Sequence, residues 1–113
     1  MAAEKIRQKR QKLSTIIKAY EDKLLIVVFH AWWCLPCRRL IREVLPVVVK
    51  QAGEGTAICP ADVLKRLNHG ASQQHRASNI PVTVFFRGGR ELFRIPGLVK
   101  AEELLQRIKG FQK

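Results

Sequence analysis

The chain has 113 residues, a length that fits one domain and leaves no room for a second. Hydrophobic residues make up 47% of it, which excludes a disordered chain, and three cysteines are too few for a disulfide-stapled secreted scaffold. The 21 lysines and arginines against 9 acidic residues give a formal net charge of +12, which favours polyanionic partners such as nucleic acid or acidic proteins.

The N-terminal part of the chain is basic, and we expect residues 1–12 to extend a first helix that covers residues 3–20. This segment lacks the apolar core of a secretory signal, and no apolar run in the chain reaches the ~18 residues that cross a bilayer. We therefore expect one domain over residues 1–113, monomeric, cytoplasmic or nuclear, and with no membrane association. The alternative is that the basic residues 1–12 form a mitochondrial presequence.

Strand and helix patterns alternate along the rest of the chain. The run Leu24–Phe29 is apolar and rich in β-branched residues, which is typical of a central strand covered on both faces. A long helix follows from Cys34 to about Gln51, and Pro46 should kink it. We expect a short strand over residues 56–59, and then one or two short helices over residues 62–68 and 72–77, split by Gly70.

The last third of the sequence predicts a hairpin and a final helix. Strands over residues 82–86 and 91–95 flank a turn at residues 87–90, and an amphipathic helix covers residues 101–109. The order indicates an α/β fold with a central mixed sheet of four to five strands and helices on both faces.

The segment Trp33-Cys34-Leu35-Pro36-Cys37 lies where a buried strand gives way to a helix. Free N–H groups and the positive end of the helix dipole favour an anion at the start of a helix. The thiolate of Cys34 should therefore be favoured, and Cys37 lies one turn further in, close enough to form a short disulfide. This arrangement predicts thiol–disulfide exchange, with Cys34 as nucleophile and Cys37 as resolving thiol.

The stretch Phe29–Cys37 resembles the active-site segment of thioredoxins, and the resemblance continues downstream. Asn79-Ile80-Pro81-Val82 is similar to the family's cis-proline loop, and Pro96-Gly97 to its glycine before the last helix. The resemblance implies a protein-disulfide oxidoreductase with no bound cofactor or metal, regenerated by an external reductase such as thioredoxin reductase. It also implies a cis peptide bond before Pro81 and an apolar groove for substrate proteins, bordered by Trp33, Leu35, Pro36, Ile80, Pro81 and Gly97.

Two positions depart from the family pattern. Val28 stands where thioredoxins usually carry a buried aspartate that accepts the proton of the resolving cysteine, so resolution by Cys37 should be slower near neutral pH. Leu35 replaces the usual glycine between the cysteines, which should alter the redox potential in a direction that the sequence does not fix.

The other candidate ligands and nucleophiles favour structural roles. A structural zinc site needs four ligands, and Cys59, His30, His69 and His75 are not at ligand spacing from the cysteine pair. We expect Cys59 to fill the core and His30 to be packed and hydrogen-bonded. His69 and His75 should be solvated, and Trp32 is a candidate partner contact.

Three arginines, Arg38, Arg39 and Arg42, follow the cysteine pair and could attract acidic substrates by electrostatic docking. The leading hypothesis is a reductase of protein disulfides, including those of nucleic-acid-associated or acidic proteins. The alternative is a catalytically weakened thioredoxin-fold protein that docks on nucleic acid or another polyanionic partner.

Overall fold

The computed structural model describes residues 2–112, in which five strands form one sheet in the order β1-β3-β2-β4-β5. β1 and β2 both run parallel to β3, whereas β4 is antiparallel to β2 and β5 to β4. The mixed five-stranded sheet agrees with the predicted fold class. The strands are β1 Glu4–Lys5, β2 Leu24–His30, β3 Thr56–Asp62, β4 Val82–Arg87 and β5 Arg90–Pro96.

Helices cover both faces of the sheet, as predicted. On one face, the core contains Leu13, Ile16 and Ala71 from two helices. On the other face, it contains Leu40, Val48 and Leu104 from the opposite helices. Among residues 2–112, no helix has the length and apolarity needed to cross a membrane. The helices are α1 Leu13–Ala19, α2 Leu35–Arg39, a π-helical segment Leu40–Val44, α3 Leu45–Gln51, α4 Arg66–Gln74 and α5 Ala101–Gly110.

The predicted helix over residues 3–20 is wrong in its first half. Glu4 and Lys5 form a short strand paired with Ala57 and Ile58, and the helix begins only at Leu13. The reason is non-local: β3 would otherwise present a row of unpaired backbone groups at the sheet edge, which β1 satisfies in part. The basic N-terminal segment is therefore an edge of the sheet and not an extension of α1.

The two helices in the middle of the chain differ in detail from the prediction. The long helix covers the predicted range, but it contains a π-helical segment over Leu40–Val44. This segment lies just before Pro46, which has no N–H to donate to the helix. Of the one or two short helices expected around Gly70, the structure has one, α4, and it runs through the glycine instead of being split by it. A glycine inside a helix costs about 1 kcal/mol relative to alanine. The helix nevertheless continues through Gly70, with Asn68 and Ala71 buried on its inner face.

The hairpin turn has the predicted position, and its glycines explain it. Gly88 and Gly89 adopt φ angles of +62° and +75°, a region that side chains other than glycine rarely occupy. The hairpin pairs Val82 with Pro96, so the start of β4 and the end of β5 lie side by side.

One end of the sheet gathers the functional segments. His30 pairs with Asp62 at the carboxyl ends of β2 and β3, and Phe29 pairs with Val82 at the start of β4. The segments that leave or enter the sheet at this end are residues 31–34, 63–65, 78–81 and 97–100. In open α/β sheets, sites form at the carboxyl ends of parallel strands.

Candidate active site

Cys34 and Cys37 form a disulfide across the first turn of α2, with their Cα atoms 5.2 Å apart. Cys34 is the N-cap residue of α2, and its sulfur accepts a hydrogen bond of 3.2 Å from the backbone N–H of Cys37. Cys34 retains 6% of its surface in solvent whereas Cys37 has none. When the disulfide is reduced, this N–H and the helix end stabilise a thiolate on Cys34, the more accessible sulfur.

The residues around the pair form an exposed apolar surface. Trp32, Trp33 and Leu35 are 65%, 56% and 67% exposed, although all three are large apolar side chains. Pro36 occupies the first turn of α2, where its missing N–H leaves no bond unmade. Exposed apolar side chains of this size beside a nucleophile are typical of a protein-docking surface.

Arg38 positions this surface, a role that sequence reasoning missed. Its Nε atom donates a hydrogen bond of 2.8 Å to the backbone carbonyl of Trp32, and so ties α2 to the loop that carries both tryptophans. A separation of six residues across a loop leaves no periodic signal in the sequence. Arg39 donates to Glu43 at 3.2 Å within the helix, whereas Arg42 is exposed and makes no ion pair among residues 2–112. Of the three arginines, only Arg39 has its charge paired with a carboxylate within residues 2–112.

The cis-proline loop closes the same end of the sheet. The Ile80–Pro81 peptide bond is cis, as predicted. The N–H of Gly97 donates to the carbonyl of Pro81 at 2.8 Å, and Gly97 has a φ of +81° that favours glycine. Since Val82 pairs with Phe29 of β2, this loop and the cysteine pair leave the sheet at the same edge. Pro81 is buried and Ile80 is half-buried.

In β2, an apolar residue occupies the position where thioredoxins usually carry a buried aspartate. Val28 is fully buried and pairs with Pro60 on one side and Thr83 on the other. Neither neighbour is a base at neutral pH. The Thr83 Oγ1 atom is buried without a hydrogen-bond partner among residues 2–112.

The third cysteine and two of the histidines lie in the core or on the surface. Cys59 is buried in the middle of β3, and burial raises the pKa of its thiol to about 11, so it is a core residue as predicted. His30 is half-buried, and burial lowers its pKa while Asp62 partly opposes this. The expected hydrogen bond of the His30 ring is not present among residues 2–112. His69 is exposed as predicted.

The prediction for His75 is wrong. Its side chain is only 15% exposed, packs edge-on against Phe86 with ring centroids 4.8 Å apart, and lies 3.6 Å from a Glu91 oxygen. The neighbouring residues in the sequence are hydrophilic, so the sequence gives no sign that the end of α4 packs against the sheet. Within the described part of the chain, no three His, Cys, Asp or Glu side chains converge as a metal site would require.

Comparison with known proteins agrees with this geometry. A family model described as a thioredoxin-like domain matches residues 10–112. Thioredoxin-2 of Saccharomyces cerevisiae is 32% identical over 78 residues, which are 67% of this chain and 69% of the yeast protein. Thioredoxin Y, chloroplastic, of Oryza sativa subsp. japonica is 24% identical over 108 residues, 94% of this chain but only 62% of the rice protein. The chain thus spans less than two thirds of the length of that relative.

Solved structures show the same fold. A mutant thioredoxin from Halobacterium salinarum NRC-1 superposes with a TM-score of 0.78 at 20% identity, covering 99% of this chain and 92% of that one. Thioredoxin from Fasciola hepatica superposes with a TM-score of 0.70 at 26% identity, covering 88% and 91%. With the family match over residues 10–112, a thioredoxin fold and a Cys34–Cys37 pair at the start of α2, the chain belongs to the thioredoxin family.

Proposed function

We propose that this protein is a protein-disulfide oxidoreductase that passes electrons from its Cys34–Cys37 dithiol to disulfides in other proteins. The observation that carries the proposal is the asymmetry of the pair: Cys34, which is 6% exposed, accepts the Cys37 N–H on its sulfur at 3.2 Å, and Cys37 is fully buried. A stabilised thiolate in front and a second thiol within bonding reach are what exchange requires.

The reaction balances over two exchanges. The Cys34 thiolate attacks one sulfur of the substrate disulfide, that S–S bond breaks, and the departing substrate thiolate takes up a proton. Cys37 then loses its proton and attacks the Cys34 sulfur, which releases the second substrate thiol and leaves the Cys34–Cys37 disulfide. The substrate gains two electrons and two protons, and an external dithiol reductase must return two electrons to the pair.

The substrate surface of this proposal is the apolar area around the pair. Trp33 and Leu35 are exposed beside Cys34, and Pro81 and Gly97 join the loops that lie at the same end of the sheet. An extended segment of a partly unfolded protein fits such a surface because its own apolar side chains would be buried there. We propose a reducing compartment, cytoplasm or nucleus, as the setting.

A second candidate function is a binding protein with little catalysis, and the surroundings of Val28 favour it. Because Pro60 and Thr83 face Val28 and neither is a base, Cys37 has no carboxylate at the usual position to take its proton. The partner would be nucleic acid or another polyanion, attracted by the net charge of +12. Its affinity for an oligonucleotide should then fall steeply with added salt.

Reduction of insulin by dithiothreitol, followed as turbidity, separates the two functions. We expect the wild-type protein to accelerate the reaction and Cys34→Ser to abolish the acceleration. Cys59→Ala is the matched control, because it removes the third thiol without touching the pair, and it should keep most of the rate. A wild-type rate equal to that of dithiothreitol alone would reject the oxidoreductase in favour of the binding protein.

A further inference from the structure

A second feature at the active-site end of the sheet is a basic groove of about 360 Å³. It lies between the N-terminal segment and the turn after β3, and nothing in the redox chemistry uses it. We call it the N-terminal basic groove and define it by Lys5, Arg7, Lys9, His30, Asp62 and Lys65.

The fold holds one wall of the groove in place. β1 runs parallel to β3, so residues 6–9 continue towards the carboxyl ends of β3 and β2. The N–H of Ile6 donates to Ile58 O at 2.8 Å, and the Gln8 side chain hydrogen-bonds to the buried Asn68. Asn68 in turn donates to Asp62 O at 2.8 Å. A segment anchored in this way presents its cations in a fixed arrangement, which reduces the entropy lost on binding.

The groove has a strong positive charge. Lys5, Arg7, Lys9 and Lys65 are exposed, and none of the four forms an ion pair within residues 2–112. The Asp62 carboxylate already accepts the Leu64 N–H at 2.9 Å. The lowered pKa of His30 keeps its ring neutral at pH 7. Four cations and one carboxylate leave three positive charges around one concave site.

The groove adjoins the nucleophile. His30 lines the groove and Cys34 follows it by four residues, so chain geometry limits the distance between their Cα atoms to roughly 14 Å. About four residues of extended polypeptide cover this distance. A chain with its disulfide at Cys34 can therefore place side chains in the groove at the same time.

We propose that the N-terminal basic groove binds an acidic segment of the substrate protein while Cys34 attacks the substrate disulfide. The inference rests on the proposed function and adds a substrate class: proteins with aspartate or glutamate about four residues from the reactive cysteine. A protein is favoured over nucleic acid because only a protein carries a disulfide. In addition, none of the groove's defining residues is a tryptophan, tyrosine or phenylalanine on which bases would stack.

The test compares two synthetic disulfide-bonded peptides that differ only at positions about four residues from the cysteine on both flanks. One peptide has glutamates at these positions and the other has glutamines. The triple variant Lys5→Gln, Arg7→Gln, Lys9→Gln removes the charge of one wall. The control variant Lys18→Gln, Arg90→Gln, Lys109→Gln removes two lysines and one arginine elsewhere, so its net charge is the same.

We expect the groove variant to raise KM for the acidic peptide about 10-fold, a loss of about 1.4 kcal/mol, with kcat unchanged. KM for the glutamine peptide should not change, and the control variant should affect the acidic peptide much less. Wild-type KM for the acidic peptide should rise as salt increases from about 20 to about 300 mM, because screening weakens the attraction.

Three results would overturn the proposal. Equal effects of the two triple variants would mean that total charge, and not the groove, attracts the substrate. Equal KM values for the two peptides would mean that the groove does not take part in reduction. An oligonucleotide that binds wild type but not the groove variant, with no preference for the acidic peptide, would assign the groove to nucleic acid. Failure to reduce either peptide would instead reject the oxidoreductase itself.

Discussion

Cys34, Cys37 and Cys59 show how position in the fold decides what a thiol does. Cys34 lies at the start of α2 with a backbone N–H on its sulfur, and Cys37 lies fully buried one turn further along. Cys59 is equally buried but lies in the middle of a strand, where burial raises the pKa of its thiol to about 11. At neutral pH that thiol stays protonated, so Cys59 does not compete with Cys34 in the proposed exchange reaction.

Thr83 gives the first prediction at the residue scale. Its Oγ1 atom is buried beside Val28 without a partner among residues 2–112, and a buried unpaired hydroxyl is unfavourable. Thr83→Val keeps the shape and removes the hydroxyl, so we expect it to raise the free energy of unfolding by about 1 kcal/mol. Guanidinium-induced unfolding measures this directly.

Thr56 is the matched control for Thr83, since it is also a fully buried threonine in the sheet. Its hydroxyl donates to Ala52 O at 3.4 Å and accepts from Gln112 Nε2 at 2.8 Å. Thr56→Val leaves these partners unsatisfied and should lower the free energy of unfolding by about 1 kcal/mol. If both valine variants shifted stability in the same direction, hydrogen bonding would not be the cause.

At the scale of elements, a charged cluster fastens α4 to the edge strand β5. Arg94 donates to both carboxylate oxygens of Glu91, at 2.6 and 2.7 Å, and also to the backbone carbonyls of His75 and Arg76. His75 and Arg76 directly follow α4, in the segment that leads towards Pro81. The cluster therefore holds in place the chain segment that leads from α4 into the cis-proline loop.

Glu91 makes the cluster pH-dependent. The hydrogen bond from Arg94 holds the pKa of Glu91 below its usual range, so the folded state favours the carboxylate. Its stabilisation is present above the unfolded pKa, near 4.3, and is lost as pH falls through the lower folded value. Glu91→Gln should lower the free energy of unfolding by roughly 1 kcal/mol at pH 7, a modest value because both side chains are about one-third exposed. This difference should vanish once the pH lies below the lowered folded-state pKa of Glu91.

The exposed pair Arg39–Glu43 provides the comparison for Glu91. Both of its side chains are more than 60% exposed, and only one hydrogen bond joins them. Glu43→Gln should change stability by less than about 0.5 kcal/mol at any pH. Urea unfolding of both variants at several pH values checks the contrast, and a Glu91 effect that persists at low pH would show that packing, not charge, is responsible.

The elements that sequence predicts well are those fixed by local patterns. The apolar run of β2, the hairpin glycines and the stripe of α5 each specify their element within a few residues. β1 is different, because Glu4 and Lys5 become a strand only through the open edge of β3. The same holds in the site: the cysteine pair and Pro81 are recognisable in sequence. The bonds Arg38–Trp32 and Gln8–Asn68 depend on residues that the fold brings together.

At the scale of the whole molecule, the excess of positive charge is not neutralised within the fold. Among the lysines and arginines of residues 2–112, only Lys23, Arg39 and Arg94 form ion pairs. The charges lie on the surface of a molecule of 32 × 29 × 23 Å, dimensions comparable to the Debye length of ~30 Å at 0.01 M salt. Mutual repulsion of unpaired cations therefore opposes the folded state and favours any partner that carries negative charge.

Salt should consequently have opposite effects on stability and on turnover. Adding sodium chloride from about 20 to about 300 mM screens the repulsion, and we expect Tm to rise by a few degrees. The same addition weakens the attraction of acidic substrates and should raise their KM. The variant Lys18→Gln, Arg90→Gln, Lys109→Gln should start from a higher Tm at low salt and respond less to it. A Tm that falls with salt would mean that the few ion pairs contribute more to stability than the repulsion removes. Electrostatic interactions would then stabilise the folded state on balance, in addition to attracting negatively charged partners.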